Sequence, residues 1–176
     1  MDETATRPAV DRFEAPPEGR ELTEYAGYLL HLAARLREKV LDDGLAPLGL
    51  NATRFRVLSI VQRLRLCTMG ELSMFSTVDR TTMTRLVDQL TEQGLVERHT
   101  PPDDRRKVTL KLTPAGGRLY KRALSMIQKV NHAVFIGIAD EQLQRMTDVL
   151  RTVLGSVIDD PKTLEMLLTF SRAEEG

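Results

Sequence analysis

Four side chains on one predicted helix have the chemistry needed to contact a nucleic acid. Over residues 79–93, the apolar residues fall on one face at helical spacing: Met83, Leu86, Val87 and Leu90. The opposite face carries two arginines and two threonines in its first two turns, and an acid only after them: Arg80, Thr81, Thr84, Arg85 and then Asp88. Arginine can form two hydrogen bonds to guanine, and threonine can bond a base edge or offer its methyl group to thymine. The pattern favours a helix that enters a major groove by its N-terminal turns, with an ordinary solvated helix face as the alternative.

A second cluster of cations stands at the tip of a predicted hairpin. Residues 95–100 and 107–113 are predicted strands, and the polar segment 101–106 joins them. Its charged residues are Asp104, Arg105, Arg106 and Lys107. An arginine in a narrow minor groove is favoured by the negative potential there, and an acidic neighbour can hold that arginine in one rotamer. The alternative is a solvated turn with an exposed ion pair.

The charge of the whole chain hides an uneven distribution. The 176 residues carry 25 basic and 25 acidic side chains, a balance that alone argues against a nucleic-acid partner. By segment, residues 1–50 hold 6 basic and 10 acidic side chains, 51–113 hold 11 and 7, and 114–176 hold 8 and 8. The basic middle segment contains both cation clusters and therefore indicates an anionic partner.

The helices that would position these clusters can be predicted from apolar spacing and capping residues. Apolar and aromatic residues recur every three or four positions from 22 to 40, which predicts a first helix. Two glycines are expected to end helices in the left-handed conformation, Gly44 after the first and Gly94 after 79–93. Three polar residues are predicted to cap the helices between them: Asn51, Thr68 (with Glu71 completing a capping box) and Asp79.

The C-terminal half predicts a strand followed by long amphipathic helices. In the second predicted strand Val108, Leu110 and Leu112 would share one face, and Thr109, Lys111 and Thr113 the other. Thr113-Pro114 predicts a helix start, because proline at the first helical position has no N–H to lose. Apolar stripes over 119–134 and 143–157 predict two long helices, and Pro161 begins a short one.

This order of elements predicts a mainly α fold with a small β-hairpin wing. We expect a winged helix-turn-helix lobe and a dimerisation bundle made of N- and C-terminal helices. The predicted organisation is a mobile acidic tail (1–19), a dimerisation helix and loop (20–50), the DNA-binding lobe (51–113) and C-terminal dimerisation helices (114–176). The C-terminal stripes need a partner surface, and packing of the terminal helices on one another is the alternative.

The motifs of the middle segment resemble those of the MarR family of bacterial transcriptional regulators. They are Glu71-Leu72, DRTTMTRLVD at 79–88, GLVER at 94–98, and Asp104-Arg105-Arg106 followed by LTPAG at 112–116. The resemblance covers residues 51–117, extends to the flanking helices by their order alone and leaves 1–19 uncovered. The sequence departs from the family pattern in the turn before 79–93, where Ser76 and Thr77 replace an apolar residue and a glycine.

The resemblance implies a non-enzymatic, ligand-responsive repressor that binds a pseudo-palindromic operator in double-stranded DNA as a homodimer. It places the helix 79–93 in the major groove and Arg106 in the minor groove, with Asp104 orienting Arg106 and Arg105 on a phosphate. The runner-up is a winged-helix adaptor whose basic face binds an acidic protein. A small helical enzyme would need a catalytic constellation, and the sequence shows none.

The resemblance also implies an effector, expected to be a small aromatic or phenolic acid. Tyr28, His31 and Arg35 flank the apolar stripe of the first helix and could offer a phenol, an imidazole and a cation to a carboxylate. A partly solvated helix edge is the alternative.

The remaining reactive residue types favour structural roles. The single cysteine, Cys67, precedes a predicted helix, and we expect a small semi-buried residue there rather than a peroxide sensor. The histidines lack zinc-ligand spacing, so neither a metal nor a cofactor is expected. No apolar run is long enough to span a membrane, and one cysteine suits a reducing cytoplasm.

Overall fold

The computed structural model describes residues 21–76, 78–100 and 108–172. Its helices are α1 (Glu21–Leu45), α2 (Ala52–Leu64), α3 (Met69–Ser76), α4 (Arg80–Glu92), α5 (Pro114–Phe135), α6 (Asp140–Val157) and α7 (Pro161–Arg172). Its strands are β1 (Cys67–Thr68), β2 (Val96–His99) and β3 (Thr109–Leu112). A central unit spans Leu32–Ile136, and a terminal unit combines the described residues before and after it. The predicted order of helices and hairpin is therefore confirmed.

The predicted N-caps act as expected, because each polar side chain satisfies a free backbone N–H of its helix. The Arg54 amide donates to the Asn51 side chain at 2.8 Å at the start of α2. Thr68 and Glu71 form the predicted capping box of α3, with the Thr68 amide donating to the Glu71 carboxylate at 2.8 Å and the Glu71 amide to the Thr68 hydroxyl at 3.2 Å. Thr113 accepts from the Gly116 amide at 3.0 Å and caps α5.

The first helix does not end at Gly44, so that prediction was wrong. α1 continues through Gly44 to the fully buried Leu45, and Gly49 takes the left-handed conformation instead, with φ +69°. A Cβ atom on Gly44 would lie 3.4 Å from Met126 and from Val130 of α5. These are ordinary van der Waals distances, so Gly44 lies inside α1 where this helix packs on α5, and it does not act as a helix stop.

The strands form an antiparallel sheet with the order β1–β3–β2. The predicted hairpin is present in shorter form, with Val96 opposite Leu112 and His99 opposite Thr109. The third strand, β1, was not predicted; it has only two residues and pairs Cys67 with Leu110. A two-residue strand carries no periodicity, so only the tertiary fold defines it.

The expected alternation in the second strand of the hairpin holds only in part. Leu110 is buried as predicted, but Thr109, assigned to the polar face, is also buried, and Val108 is exposed. Because β3 is the central strand, Thr109 lies between Thr68 and His99, and its hydroxyl donates to the His99 carbonyl at 3.2 Å. The predicted division into a buried apolar face and an exposed polar face was therefore wrong for Val108 and Thr109.

The core of the central unit draws on α1, α2, α3, α4, α5 and the sheet. Its buried apolar side chains include Leu41, Leu45, Val57, Leu58, Ile60, Val61, Leu72, Met83, Val87, Leu90, Val96, Leu110 and Ala123. Phe55 of α2 stacks on Tyr120 of α5 with ring centroids 5.8 Å apart. Burial of these apolar side chains is the main force that holds α4 and the sheet in place.

In the terminal unit, α6 packs against α7. Asp160 accepts from the Thr163 amide at 3.0 Å at the start of α7, and Gly155 of α6 faces Leu164. Much of the predicted apolar stripe of α6 is exposed in the single chain, including Met146, Val153 and Val157. No helix in the described ranges combines the length and the apolar character that crossing a membrane requires.

Candidate functional site

The helix α4 is held by a cap at its start and by a buried apolar face. The Thr82 amide donates to the Asp79 carboxylate at 2.9 Å. Hydrogen bonds from the Thr82 side chain and from the Thr82 amide hold the pKa of Asp79 below its usual value. Met83, Val87 and Leu90 are fully buried, as the helical spacing predicted. At its other end α4 stops before Gly94, which has φ +66°. The helix is therefore fixed on one side and open on the other.

The open side of α4 carries the four predicted contact residues together. Arg80, Thr81, Thr84 and Arg85 are all exposed within the first two turns. The Thr84 hydroxyl donates to the Arg80 carbonyl at 2.9 Å, one turn back. Thr84 therefore presents its methyl group and its oxygen lone pairs outward, while Arg80 and Arg85 supply the cations.

Arg98, for which the sequence pattern indicated no role of its own, pairs with the next acid along α4. Arg98 of β2 lies 2.5 Å from the carboxylate of Asp88, and both side chains are about half exposed. Asp88 follows Thr84 by four residues and therefore lies on the same face of the helix. The GLVER motif contained Arg98, but its partner could be found only once β2 was placed beside α4.

The turn before α4 is organised by Ser76, one of the two residues that depart from the family pattern. Ser76 is fully buried, its hydroxyl donates to the Ser73 carbonyl at 3.3 Å, and it accepts from the Val78 amide at 3.4 Å. Arg56 of α2 donates to the Ser76 carbonyl at 3.4 Å and lies 3.8 Å from Glu38 of α1. The serine thus supplies local hydrogen bonds to the turn, and Asp79 remains the cap of the next helix.

The four wing residues lie outside the described residues. Asp104, Arg105, Arg106 and Lys107 belong to the segment 101–107, which joins β2 to β3. Their assignment to DNA stays a prediction. The strands on either side, Val96–His99 and Thr109–Leu112, form the base of the hairpin that carries this segment.

The three predicted effector residues all lie on α1. Tyr28, His31 and Arg35 follow one another along α1 at spacings of three and four, and all are exposed in the single chain. Tyr28 and His31 belong to the terminal unit, and Arg35 belongs to the central unit. Their effector role stays a prediction.

Cys67 occupies a closed environment. It is fully buried in β1, and burial raises the pKa of its thiol to about 12, with Glu71 adding to the rise and a hydrogen bond to the Leu72 backbone opposing it. A thiol with so high a pKa stays protonated at neutral pH, and the thiolate is the reactive form. Among the residues that the structure describes, no three acidic, histidine or cysteine side chains group as a metal site.

Comparison with known proteins relates the central part of this chain to one protein family. The model of the MarR family matches residues 50–108. The multiple antibiotic resistance protein MarR of Salmonella typhimurium is 34% identical over 96 residues, which cover 54% of this chain and 67% of that protein. The matched residues include α2, α3, α4 and the described strands β1 and β2.

Solved structures share the fold of this chain over most of its length. A mutant of Escherichia coli MarR complexed with operator DNA superposes with a TM-score of 0.68 at 28% identity, covering 73% of this chain and 92% of that chain. CouR from Rhodococcus jostii RHA1, bound to p-coumaroyl-CoA, superposes with a TM-score of 0.69 at 25% identity, covering 80% of this chain and 99% of that chain. The mainly helical fold with a small winged sheet is therefore confirmed.

Proposed function

Because this chain belongs to the MarR family, we propose that it is a transcriptional regulator that binds double-stranded operator DNA as a homodimer and acts as a ligand-responsive repressor. The observation that carries the proposal is the exposed side of α4. Two arginines and two threonines are exposed there while the opposite side is buried in the core. The structure of an E. coli MarR mutant in complex with operator DNA supports this use of the fold.

In the proposed complex, α4 lies in the major groove. Arg80 and Arg85 neutralise phosphate or bond guanine, and Thr81 and Thr84 contact base edges. No acidic side chain stands among these four residues, and Asp79 is occupied as the cap of the helix. The wing residue Arg106 enters the adjacent minor groove with Asp104 as its orienting partner, and Arg105 and Lys107 contact the backbone.

The homodimer is proposed from the exposed apolar surface of the terminal unit. Met146, Val153 and Val157 lie open on α6, and Val149 is 61% exposed. Burial of apolar surface contributes about 25 cal/mol per Å², so an uncovered stripe of this kind favours association. A second copy of the chain would cover it and would place two α4 helices on successive turns of DNA, ~34 Å apart, which requires a pseudo-palindromic operator.

The effector is proposed to be a small aromatic or phenolic acid that binds at Tyr28, His31 and Arg35. All three side chains are exposed and lie close in sequence on α1. CouR, a structural neighbour, was solved with p-coumaroyl-CoA, a ligand with a phenolic group. Titration of aromatic acids into wild type and Arg35→Ala tests the assignment, and equal affinities would contradict it.

The experiment that tests DNA binding is selection of bound fragments from the source genome by the full-length chain. The expected result is enrichment of fragments that share a pseudo-palindrome. Arg80→Ala and Arg85→Ala should each lower the enrichment, whereas Lys162→Ala on α7 removes one cation and serves as a matched control. Absence of any enriched sequence, together with capture of acidic proteins by the same chain, would favour the adaptor instead.

A further inference from the structure

The ion pair of Asp88 and Arg98 joins the two elements that the proposed function sends into neighbouring grooves. Asp88 is in the third turn of α4, and Arg98 is in β2, which leads directly into the segment 101–107. The guanidinium of Arg98 meets the carboxylate of Asp88 at 2.5 Å. Arg98 pairs with Leu110 in the sheet, so its backbone is fixed while its side chain reaches across to the helix.

The position of Asp88 makes its charge important to any bound anion. It follows Arg85 by three residues and Thr84 by four, so its carboxylate stands one turn beyond them on the exposed face. An unpaired carboxylate on that face would repel the phosphates that Arg80 and Arg85 attract. Arg98 both neutralises the carboxylate and holds it toward the sheet.

We propose that Arg98 is a positioning residue for DNA binding, which acts through Asp88 and not by contact with DNA. This inference rests on the proposed function. Its two effects are to cancel the negative charge of Asp88 on the exposed face of α4 and to fix the distance between α4 and the strand that carries the wing. An exposed ion pair contributes little to the stability of a fold, so loss of the pair should alter DNA affinity far more than the melting temperature.

The test is a cycle of full-length variants assayed by fluorescence anisotropy on the selected operator at several salt concentrations. Arg98→Gln should weaken binding about three- to tenfold, because it leaves Asp88 unpaired. Asp88→Asn with Arg98→Gln should return the affinity to within about twofold of wild type, because no unpaired carboxylate then remains at position 88. Arg98→Lys keeps a cation beside Asp88 and should bind nearly as well as wild type.

Salt dependence separates this role from a direct phosphate contact. Loss of a phosphate contact and an unpaired Asp88 both make log K less steep against log salt, by up to about 0.9 in slope. Only the positioning role predicts that Asp88→Asn restores the wild-type slope in the Arg98→Gln background, because the double variant has the same local net charge as wild type. Arg145→Gln breaks a more exposed ion pair on α6, where Arg145 lies 2.6 Å from Glu141, and should not change affinity.

Three outcomes would overturn the proposal. They are an Arg98→Gln variant that binds like wild type, a double variant no better than Arg98→Gln, and a slope that falls by about 0.9 in Arg98→Gln and stays reduced in the double variant. A wild-type chain that binds no DNA fragment would instead contradict the proposed function itself, so the two failures are distinguishable.

Discussion

The hydroxyl of Thr84 donates a hydrogen bond to the carbonyl oxygen of Arg80, one turn earlier in α4, at 2.9 Å. Because its hydroxyl proton is used in this intrahelical hydrogen bond, Thr84 cannot donate a hydrogen bond to a base. What it can offer is a methyl group and oxygen lone pairs. The methyl group matches the C5-methyl of thymine in the major groove.

Thr84→Val should therefore keep a preference for thymine that Thr84→Ser loses. The expected difference is about fourfold in operator affinity, since burial of one methyl or methylene group contributes about 0.8 kcal/mol. The measurement is the affinity of each variant for the operator and for a version with uracil in place of thymine. Equal discrimination by the Ser and Val variants would show that Thr84 does not read that methyl group.

Arg106→Ala and Arg85→Ala should impair DNA binding in different ways, because Arg106 is assigned to the minor groove and Arg85 to the major groove. Arg106→Ala should weaken operator binding by about 1–3 kcal/mol, with a smaller loss on nonspecific DNA, if the wing reads a minor groove. Arg85→Ala should relax sequence preference at the positions under α4. Competition between operator and random DNA measures both effects, and an unchanged footprint for both variants would contradict the proposed docking.

Peroxide should leave DNA binding unchanged, because Cys67 is buried and its thiol has a pKa of about 12. Oxidation proceeds through the thiolate, and a thiol with this pKa forms very little thiolate at neutral pH. The check is operator affinity before and after treatment, with Cys67→Ala as the control. A loss of binding in wild type that the Ala variant resists would establish a redox role.

The same thiol predicts a pH dependence of stability. The pKa of Cys67 is raised from 9.0 to about 12 in the folded chain, so the folded state keeps a proton that the unfolded state loses between these values. The free energy of unfolding should therefore fall as pH rises above 9, by at most about 1.4 kcal/mol per pH unit from this group. Urea unfolding at pH 8 and 10 should show a smaller fall for Cys67→Ala, and parallel curves would refute the assignment.

The sequence predicted those features that depend on near neighbours. The caps at Asn51, Thr68 and Asp79 each bond an amide three residues away, so the pattern contains both partners. The exposed face of α4 could be predicted from helical spacing. The apolar positions of this helix share one side, which packs on the core, so the polar positions lie on the exposed side.

The features that the sequence did not predict depend on contacts between distant segments. Gly44 was expected to stop a helix because the packing of α1 against Met126 and Val130 of α5 cannot be read from the residues around it. The pairing of Arg98 could not be predicted because its partner Asp88 lies in another element. The burial of Thr109 follows from a neighbouring strand too short to leave a pattern.

Two adjacent glycines at the start of α5 should respond to substitution in opposite directions. A Cβ on Gly116 would clash with the backbone carbonyl of Leu95, whereas Gly117 has open space around it. The Leu95 carbonyl also accepts from the Thr113 amide at 3.1 Å, so neither segment can move without loss of that bond. Gly116→Ala should therefore destabilise the chain strongly.

Gly117→Ala is the matched control, since it makes the same change in the same turn. It should be neutral or should stabilise by up to about 1 kcal/mol, because alanine favours a helix over glycine. Thermal and urea unfolding of the two variants measure the difference. If Gly116→Ala were as stable as Gly117→Ala, the close packing of α5 on the segment before β2 would be wrong.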